Sequence, residues 1–336
     1  MELTFTNERL EDVGLLDYSS ADFAFGVDEN DFDIVLARES GVPEDGAVIY
    51  DESGEVGGVV RGSSTESDSG LLHVVGDTWM GVLDSYVLMP PSGQAYFSVT
   101  GAVGQCARQL VARLGLEWLF SVSDRASSTV VSHTFTGNRT DSTQQDSGRY
   151  MGGWAALWQL LSDNRCKARF SWDPEAHKVS VIILPRGDRT DAESVAAGAA
   201  EVHVSRRKPI NHLVCLGQGD LAQRTVVHVY MDERGRIVSS KVLTGMDEIQ
   251  AVYEDSGAED QNALRKSGAS KLKEYYADSQ TVAINVANED TVYEVGDLIG
   301  GTDIATGVQA TATVSKKVLR FDGYKTTITY SSTIRS

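Results

Sequence analysis

The chain has 336 residues, of which 41% are hydrophobic and 23% charged, and a formal net charge of −18. That length exceeds what one core usually supports, so two or three domains are expected and a sizeable core is readily buried. Residues 1–70 hold 18 Asp and Glu against Arg9, Arg38 and Arg61, a local balance of −15, which argues against a protein that grips nucleic acid by charge but leaves room for an acidic wall past which nucleic acid slides.

In chain order, the first hundred residues show turn signals at regular spacing and no convincing amphipathic helix. Strands are expected at Asp31–Leu36 and Ala47–Tyr50. The turn Asp51-Glu52-Ser53-Gly54 then leads to Glu55–Val60. Leu71–Val75 and Val82–Met89 continue the meander across Gly76-Asp77, and Pro90-Pro91-Ser92-Gly93 ends it. From Val103 the period changes to helical, with Val103, Ala107, Leu110, Val111 and Leu114 on one face and Gly115 placed as a C-terminal cap. Residues 121–150, rich in Ser, Thr, Asp and Gln, read as a long loop. Trp154, Leu157, Trp158 and Leu161 mark a second helix, where two tryptophans at that spacing indicate core. Ala168–Trp172 and Lys178–Leu184 form a hairpin around Asp173-Pro174-Glu175, and Asp188–Ala200 is the best linker.

Further strands are expected at Val202–Ser205, Asn211–Leu216, Thr225–Tyr230 and Arg236–Leu243. A helix follows with Leu264, Gly268, Leu272, Tyr275 and Tyr276 on its apolar face, while Arg265, Lys266, Lys271, Lys273 and Glu274 keep the rest solvated. The closing strands run through Val292–Gly300, with Gly296-Asp297 as a turn pair, and through Tyr324–Tyr330. This closing segment reads as a helix packed on a small antiparallel barrel. The expected fold class is α+β, mainly β: a β-barrel-like module over 1–98, a helix-containing α+β middle domain with linker over 99–200, and a second barrel-like module with one packed helix over 201–336.

No reaction centre emerges. The nucleophile elbow G-x-S-x-G and the zinc motif H-E-x-x-H are absent, and the six histidines His73, His133, His177, His203, His212 and His228 are scattered. Of these, His203, His212 and His228 are the set that neighbouring strands would have to bring together to bind a metal. Gly217-Gln218-Gly219-Asp220 reads as a hairpin turn, and Gly57–Gly62 as a strand under close backbone approach. Asp28–Asp33 and Asp51–Glu55 resemble fragments of calcium loops, but neither places oxygen ligands, glycine and a terminal Glu at EF-hand spacing. The sequon Asn138-Arg139-Thr140 carries no meaning without a secretion signal. Cys106, Cys166 and Cys215 are widely spaced and read as buried thiols made in a reducing compartment. No catalytic, cofactor-binding or metal residue is assigned, and no cofactor is expected. The N-terminus lacks a signal peptide and no apolar run spans a bilayer, so cytoplasmic synthesis without membrane insertion is expected. Arg206-Arg207-Lys208 is the one basic cluster; it reads as a solvated strand entry, a nucleic-acid contact, or a site of self-association with the acidic first section.

Several stretches together resemble the tail-hub proteins of long-tailed bacteriophages and prophages, the baseplate-hub-like minor tail family. They are Tyr18–Asn30 into Asp31–Ile34, Gly57–Val60, Val75–Leu83, Tyr86–Pro90, Asn211–Gly217, the Leu264–Ala277 helix and Tyr293–Ile299. The resemblance implies a non-enzymatic virion structural protein, a homotrimer in which two barrel-like modules per chain form a pseudo-sixfold ring continuing the tail tube. It further implies contacts with tail-tube or distal tail proteins and with tip, fibre or receptor-binding proteins, with DNA met only in passage. Because the chain stops at Ser336, neither the C-terminal peptidase nor the fibre extension of larger members is expected. Two alternatives stand beside this one. One is a carbohydrate-binding or carbohydrate-cleaving tail-tip protein stacking sugars on Trp118, Trp154, Trp158 or Trp172; the other is the hub of a related injection machine.

Overall fold

Alternating apolar residues build the first section as β1 (Leu3–Thr6), β2 (Asp12–Leu15), β3 (Tyr18–Gly26), β4 (Asp31–Leu36), β5 (Val48–Asp51), β6 (Gly57–Glu66) and β7 (Leu71–Thr78). In β4, Phe32, Ile34 and Leu36 point inward and the residues between them do not, the signature of a sheet with one buried face. The chain continues through α1 (Trp79–Asp84), β8 (Val87–Leu88) and β9 (Phe97–Ala102). This is a computed structural model, and it describes residues 1–36, 41–66, 71–126, 128–136, 150–190, 200–286, 293–302, 309–323 and 325–333. Helix α1 corrects the expected strand at Val82–Met89: Trp79, Met80, Val82 and Leu83 are all buried, so the segment is set by packing on several sides and not by a two-residue period.

The middle section holds α2 (Val103–Leu114), β10 (Phe120–Asp124), β11 (Val130–Phe135), β12 (Met151–Gly152), α3 (Gly153–Asp163), β13 (Cys166–Asp173), β14 (Lys178–Pro185) and β15 (Asp188–Arg189). Helix α2 begins and ends where the sequence places it: Gly115 takes φ +73°, and its N–H donates to the Ala112 carbonyl. The hairpin β13–β14 forms around the expected turn and buries Phe170 and Trp172 on one strand and Val179, Val181 and Ile183 on the other. Residues 137–149 of the loop, including the sequon at Asn138, and residues 191–199 of the linker lie outside the described residues.

The last section comprises β16 (Ala200–Arg206), β17 (His212–Leu216), β18 (Val226–Met231), β19 (Ile237–Val238), β20 (Gln250–Glu254), α4 (Gln261–Asp278), β21 (Gln280–Val286), β22 (Leu298–Thr302), β23 (Gln309–Asp322) and β24 (Lys325–Thr333). Of the strand expected over Arg236–Leu243, only Ile237–Val238 pairs.

Strands from the two ends of the chain share one sheet. Among the described residues it has 13 strands, with the main order β16-β21-β24-β23-β3-β4-β7-β6-β5-β1-β2 and with β22 bridging β15 and β23. The junction is β23 on β3, antiparallel from Lys316↔Gly26 to Asp322↔Ser20. The inward residues Leu319 and Phe321 join Phe23, Phe32 and the middle-section helices in one core. A tryptophan cluster lies inside it: Trp79 stacks on Trp172 at 6.0 Å, and the Trp79 indole N–H donates to the Gly54 carbonyl at 3.1 Å. Gly54 sits at φ +70° with the Trp172 backbone so close that a Cβ there would lie 2.4 Å from a carbonyl oxygen.

Helix α4 does not pack on the closing strands, which corrects the expected helix-on-barrel segment. It covers a separate four-stranded sheet of order β19-β18-β17-β20, and Leu264 and Leu272 share a second core with Leu213, Cys215, Val227, Val229 and Met231. The Asp260 carboxylate caps it by accepting from the N–H groups of Asn262 and Ala263, both at 2.8 Å. Gly268 allows the close approach, since a Cβ there would lie 2.3 Å from the Cys215 sulfur. No helix among the described residues is long and apolar enough to cross a membrane.

Candidate assembly surface

Residues between the inward positions of β3, β4, β7, β6 and β23 form an exposed sheet face. Asp22 stands directly across from Asp33, and Asp31 across from Asp77, so like charges oppose each other in two adjacent ladders. Cations offset the repulsion. Arg320 Nε donates to Asp22 at 2.9 Å, Lys316 Nζ to Glu29 at 2.7 Å and Arg61 Nε to Asp77 at 2.6 Å, while His73 Nδ1 lies 2.9 Å from Asp33. Each such exposed pair contributes about 0–1 kcal/mol, so their effect is local neutralisation more than stability. Burial, and then the charge of Glu29, pushes the Asp31 carboxyl above the usual carboxylate range. The face encloses a concavity of about 590 Å³ lined by Asp22, Asp31, Asp33 and Asp77 together with Arg61 and Arg320. Two of its cations, Lys316 and Arg320, come from the far end of the chain, so the acidity counted over residues 1–70 is partly cancelled by strand pairing.

The turn pair Gly296-Asp297 is where the middle section is held to the closing strands. Gly296 adopts φ +101°, and Asp297 is 3% exposed. The Asp297 carboxylate accepts from Lys167 Nζ at 2.7 Å, from the Gly187 N–H at 2.9 Å and from the Glu294 N–H at 3.1 Å. Glu294 pairs with the same lysine and accepts from Arg169 Nε at 2.7 Å. Burial alone raises the Glu294 carboxyl; the bonds and charges of Lys167 and Arg169 outweigh it and hold the group below its ordinary range. Beside this pair, Tyr293 meets Tyr330 edge-on at 5.3 Å, and the Tyr293 N–H donates to the Tyr330 hydroxyl at 3.1 Å.

Of the three histidines considered as a metal set, two come together. His212 Nε2 lies 2.8 Å from His228 Nδ1, and His212 Nδ1 lies 2.6 Å from Glu248. His203 stands on β16, in the other sheet. Glu248 also binds Lys241 Nζ at 2.5 Å, and the Lys241 and His212 bonds lower its carboxyl to about 2. Both ring nitrogens of His212 are thereby engaged in hydrogen bonds. No group of three or more His, Cys, Asp or Glu among the described residues is arranged to hold a metal ion.

The other motifs resolve as follows. Gly217–Asp220 is the turn between β17 and β18, closed by the Gly217 N–H donating to the Thr225 carbonyl at 2.8 Å. Gly58 lies against β7, where a Cβ would be 2.0 Å from the Asp77 carbonyl oxygen. Lys208 pairs with Asp247, whereas the exposed Arg207 side chain has no ion pair among the described residues. All three thiols are buried, and burial pushes Cys215 up to about 11. Trp154 and Trp172 are interior and Trp158 is half-buried, while Trp118 is 60% exposed. The Lys167–Asp297 pair and the Arg320–Asp22 pair had no sequence signal, because 130 and 298 residues separate their members.

No protein-family model matches the sequence, and neither does any curated protein. Solved structures do match. The tail protein of Neisseria meningitidis MC58 aligns at TM-score 0.53 and 14% identity, covering 100% of this chain and 96% of that one. The 43 kDa tail protein of prophage MuSo2 from Shewanella oneidensis aligns at 0.54 and 12%, covering 99% and 98%. Prophage tail protein gp18 of Listeria monocytogenes EGD-e aligns at 0.50 and 11%, covering 100% and 96%. At such identities the likeness defines the fold: the chain has the α+β, mainly β fold of prophage tail proteins. The expected resemblance to that family holds at this level.

Proposed function

We propose that the protein is a non-enzymatic structural component of a bacteriophage or prophage tail, synthesised in the bacterial cytoplasm and built into the tail. Within it the chain serves as the hub joining tail tube to tail tip, with three copies forming a ring. The observation that carries this reading is full-length correspondence: nearly every residue of this chain aligns with nearly every residue of three tail proteins. Sections 1–98 and 201–336 supply the ring wall, and section 99–200 projects from it. The β3–β23 pairing supports a joint role for the first and last sections. Tube or distal tail proteins and tip or fibre proteins are the proposed partners, and DNA is met only in passage. Five carboxylates against three permanent cations on the concave sheet face favour sliding over sticking.

Light scattering on the purified chain, followed by electron microscopy, tests this. A mass of three chains in a ring is expected; a monomer at every concentration, in the presence of tail-tube protein as well, refutes it. Glycan binding abolished by Trp118→Ala would replace the hub with the carbohydrate-binding reading.

A further inference from the structure

We propose that strand β20 is a docking edge for a second copy of this chain, the two β20 strands pairing antiparallel across a two-fold axis at Val252. The inference goes beyond the ring reading and does not depend on it. Strand β20 ends the sheet of order β19-β18-β17-β20, whose covering helix α4 lies over β17 and β18. Val252 is 61% exposed, and the Glu254 side chain 63%. Natural sheets blunt such borders with short strands, lysine, proline or bulges. The opposite border, β19, is two residues long. Strand β20 has five, Gln250-Ala251-Val252-Tyr253-Glu254, with no Lys, no Pro and no break in register.

Two bonds fix which backbone groups of β20 face β17. The His212 N–H donates to the Ile249 carbonyl at 3.2 Å, and the Asp255 N–H to the Leu216 carbonyl at 2.9 Å. In an unbroken parallel ladder the bonded residues alternate, so Ile249, Ala251, Tyr253 and Asp255 turn toward β17. The N–H and C=O groups of Gln250, Val252 and Glu254 therefore point to the border, and none of them has a partner among the described residues. Turned about a two-fold axis through Val252, the segment matches itself: Val252 meets Val252, and Gln250 meets Glu254 on either side. All three residue pairs then exchange both backbone bonds, whereas a shift of one pairing step in either direction leaves two such pairs. No like charges oppose, because each Glu254 carboxylate faces a carboxamide that can donate to it. The surrounding unit, residues 207–278, carries ten Lys and Arg against eleven Asp and Glu, so a contact between copies meets little of the repulsion that the net charge of −18 imposes elsewhere.

Five residues a side bury less than the roughly 800 Å² per partner of a standard interface, so the contact is weak and disulfide trapping on the full chain is the assay. Cys106, Cys166 and Cys215 are buried, which leaves an added thiol as the exposed one. Residues of an antiparallel bonded pair have Cα atoms about 5.5 Å apart, within disulfide reach. Oxidation of Val252→Cys is expected to give a two-chain species on denaturing gels, whether or not the chains also stand in rings. Gln250→Cys alone is expected to give none, since four residues of strand, about 14 Å, separate it from its copy. Mixing Gln250→Cys chains with Glu254→Cys chains is expected to restore the bond. Val252→Pro, a change tolerated where the N–H faces outward, should leave thermal unfolding unchanged and lower trapping in that mixture about tenfold, one hydrogen bond being lost from each copy. Absence of the Val252→Cys dimer at every concentration, or equal trapping at Gln250→Cys alone, overturns the pairing. Exchange protection of the Gln250, Val252 and Glu254 amides in the monomer also overturns it, by showing another segment of the same chain on the edge; protection that needs added tail-tube protein overturns it in favour of that partner. None of these results bears on the ring, which light scattering decides.

Discussion

Replacing Asp297 with alanine probes the joint between the middle section and the closing strands. The carboxylate is 3% exposed and satisfies Lys167 Nζ and the N–H groups of Gly187 and Glu294. Breaking a buried ion pair by removing one partner costs about 3–5 kcal/mol. Each buried N–H left unpaired costs about 1–3 kcal/mol. Lys167 retains Glu294 as a counter-ion, which returns part of that loss. A net destabilisation of about 3–4 kcal/mol is expected, a large share of the roughly 5–15 kcal/mol typical of a folded domain. Asp297→Asn, which keeps an acceptor oxygen and loses the charge, should cost about 1–2 kcal/mol. Guanidinium unfolding followed by tryptophan fluorescence measures this joint selectively, because Trp79, Trp118, Trp154, Trp158 and Trp172 all lie outside the second core. In a double-mutant cycle with Lys167→Met, the two losses should fail to add by about 0.5–3 kcal/mol. A loss below about 0.5 kcal/mol for Asp297→Ala, the range of an ordinary surface change, would refute the reasoning.

Leu272→Ala should cost the α4 unit about 2–5 kcal/mol, seen as faster amide exchange in α4 while tryptophan fluorescence stays as in the wild type. Gly268→Ala drives a methyl toward the Cys215 sulfur and should cost about 1–3 kcal/mol; Cys215→Ala in the same chain should recover most of it, read from thermal unfolding monitored by tyrosine fluorescence. The Glu248 carboxyl, lowered from 4.5 to about 2, is a group whose folded value lies below its unfolded one. Its contribution is therefore complete above pH 4.5 and is lost as pH falls through about 2. Carboxyl NMR should record that low midpoint, and Lys241→Ala should raise it.

Elements governed by neighbours in the chain were legible. The face of α2 and its Gly115 cap, the Trp154–Leu161 stripe of α3, the β13–β14 hairpin and the Gly296-Asp297 turn all follow from local spacing and local backbone demands. So did the fold class, because two-residue alternation dominates both ends of the chain. The resemblance to tail-hub proteins rested on these same strands and turns, and full-length structural likeness supports it as a fold.

Partner choice was not legible. The residues of α4 announce an amphipathic helix, but nothing in Leu264, Gly268 or Leu272 says whether β17–β18 or the closing strands will cover them. Strand β23 shows an inward face, yet its pairing with β3 brings together residues almost 300 positions apart, as the Arg320–Asp22 contact at separation 298 shows. The histidines illustrate the same limit. The sequence named His203, His212 and His228 as one set; the fold brings together only His212 and His228, and Glu248, which engages His212, entered only with the fold.

Sequence thus specified what each segment is and which of its faces seeks burial, since propensity, capping and periodicity act over a few residues. Folding specified which faces meet, which acids on the β3–β4–β7 surface acquire cations, and that strands from the two ends of the chain share one sheet through β3 and β23. Backbone hydrogen bonds can be satisfied by any strand in register, so the choice among them rests on side-chain packing across the whole core, a property of the assembled chain.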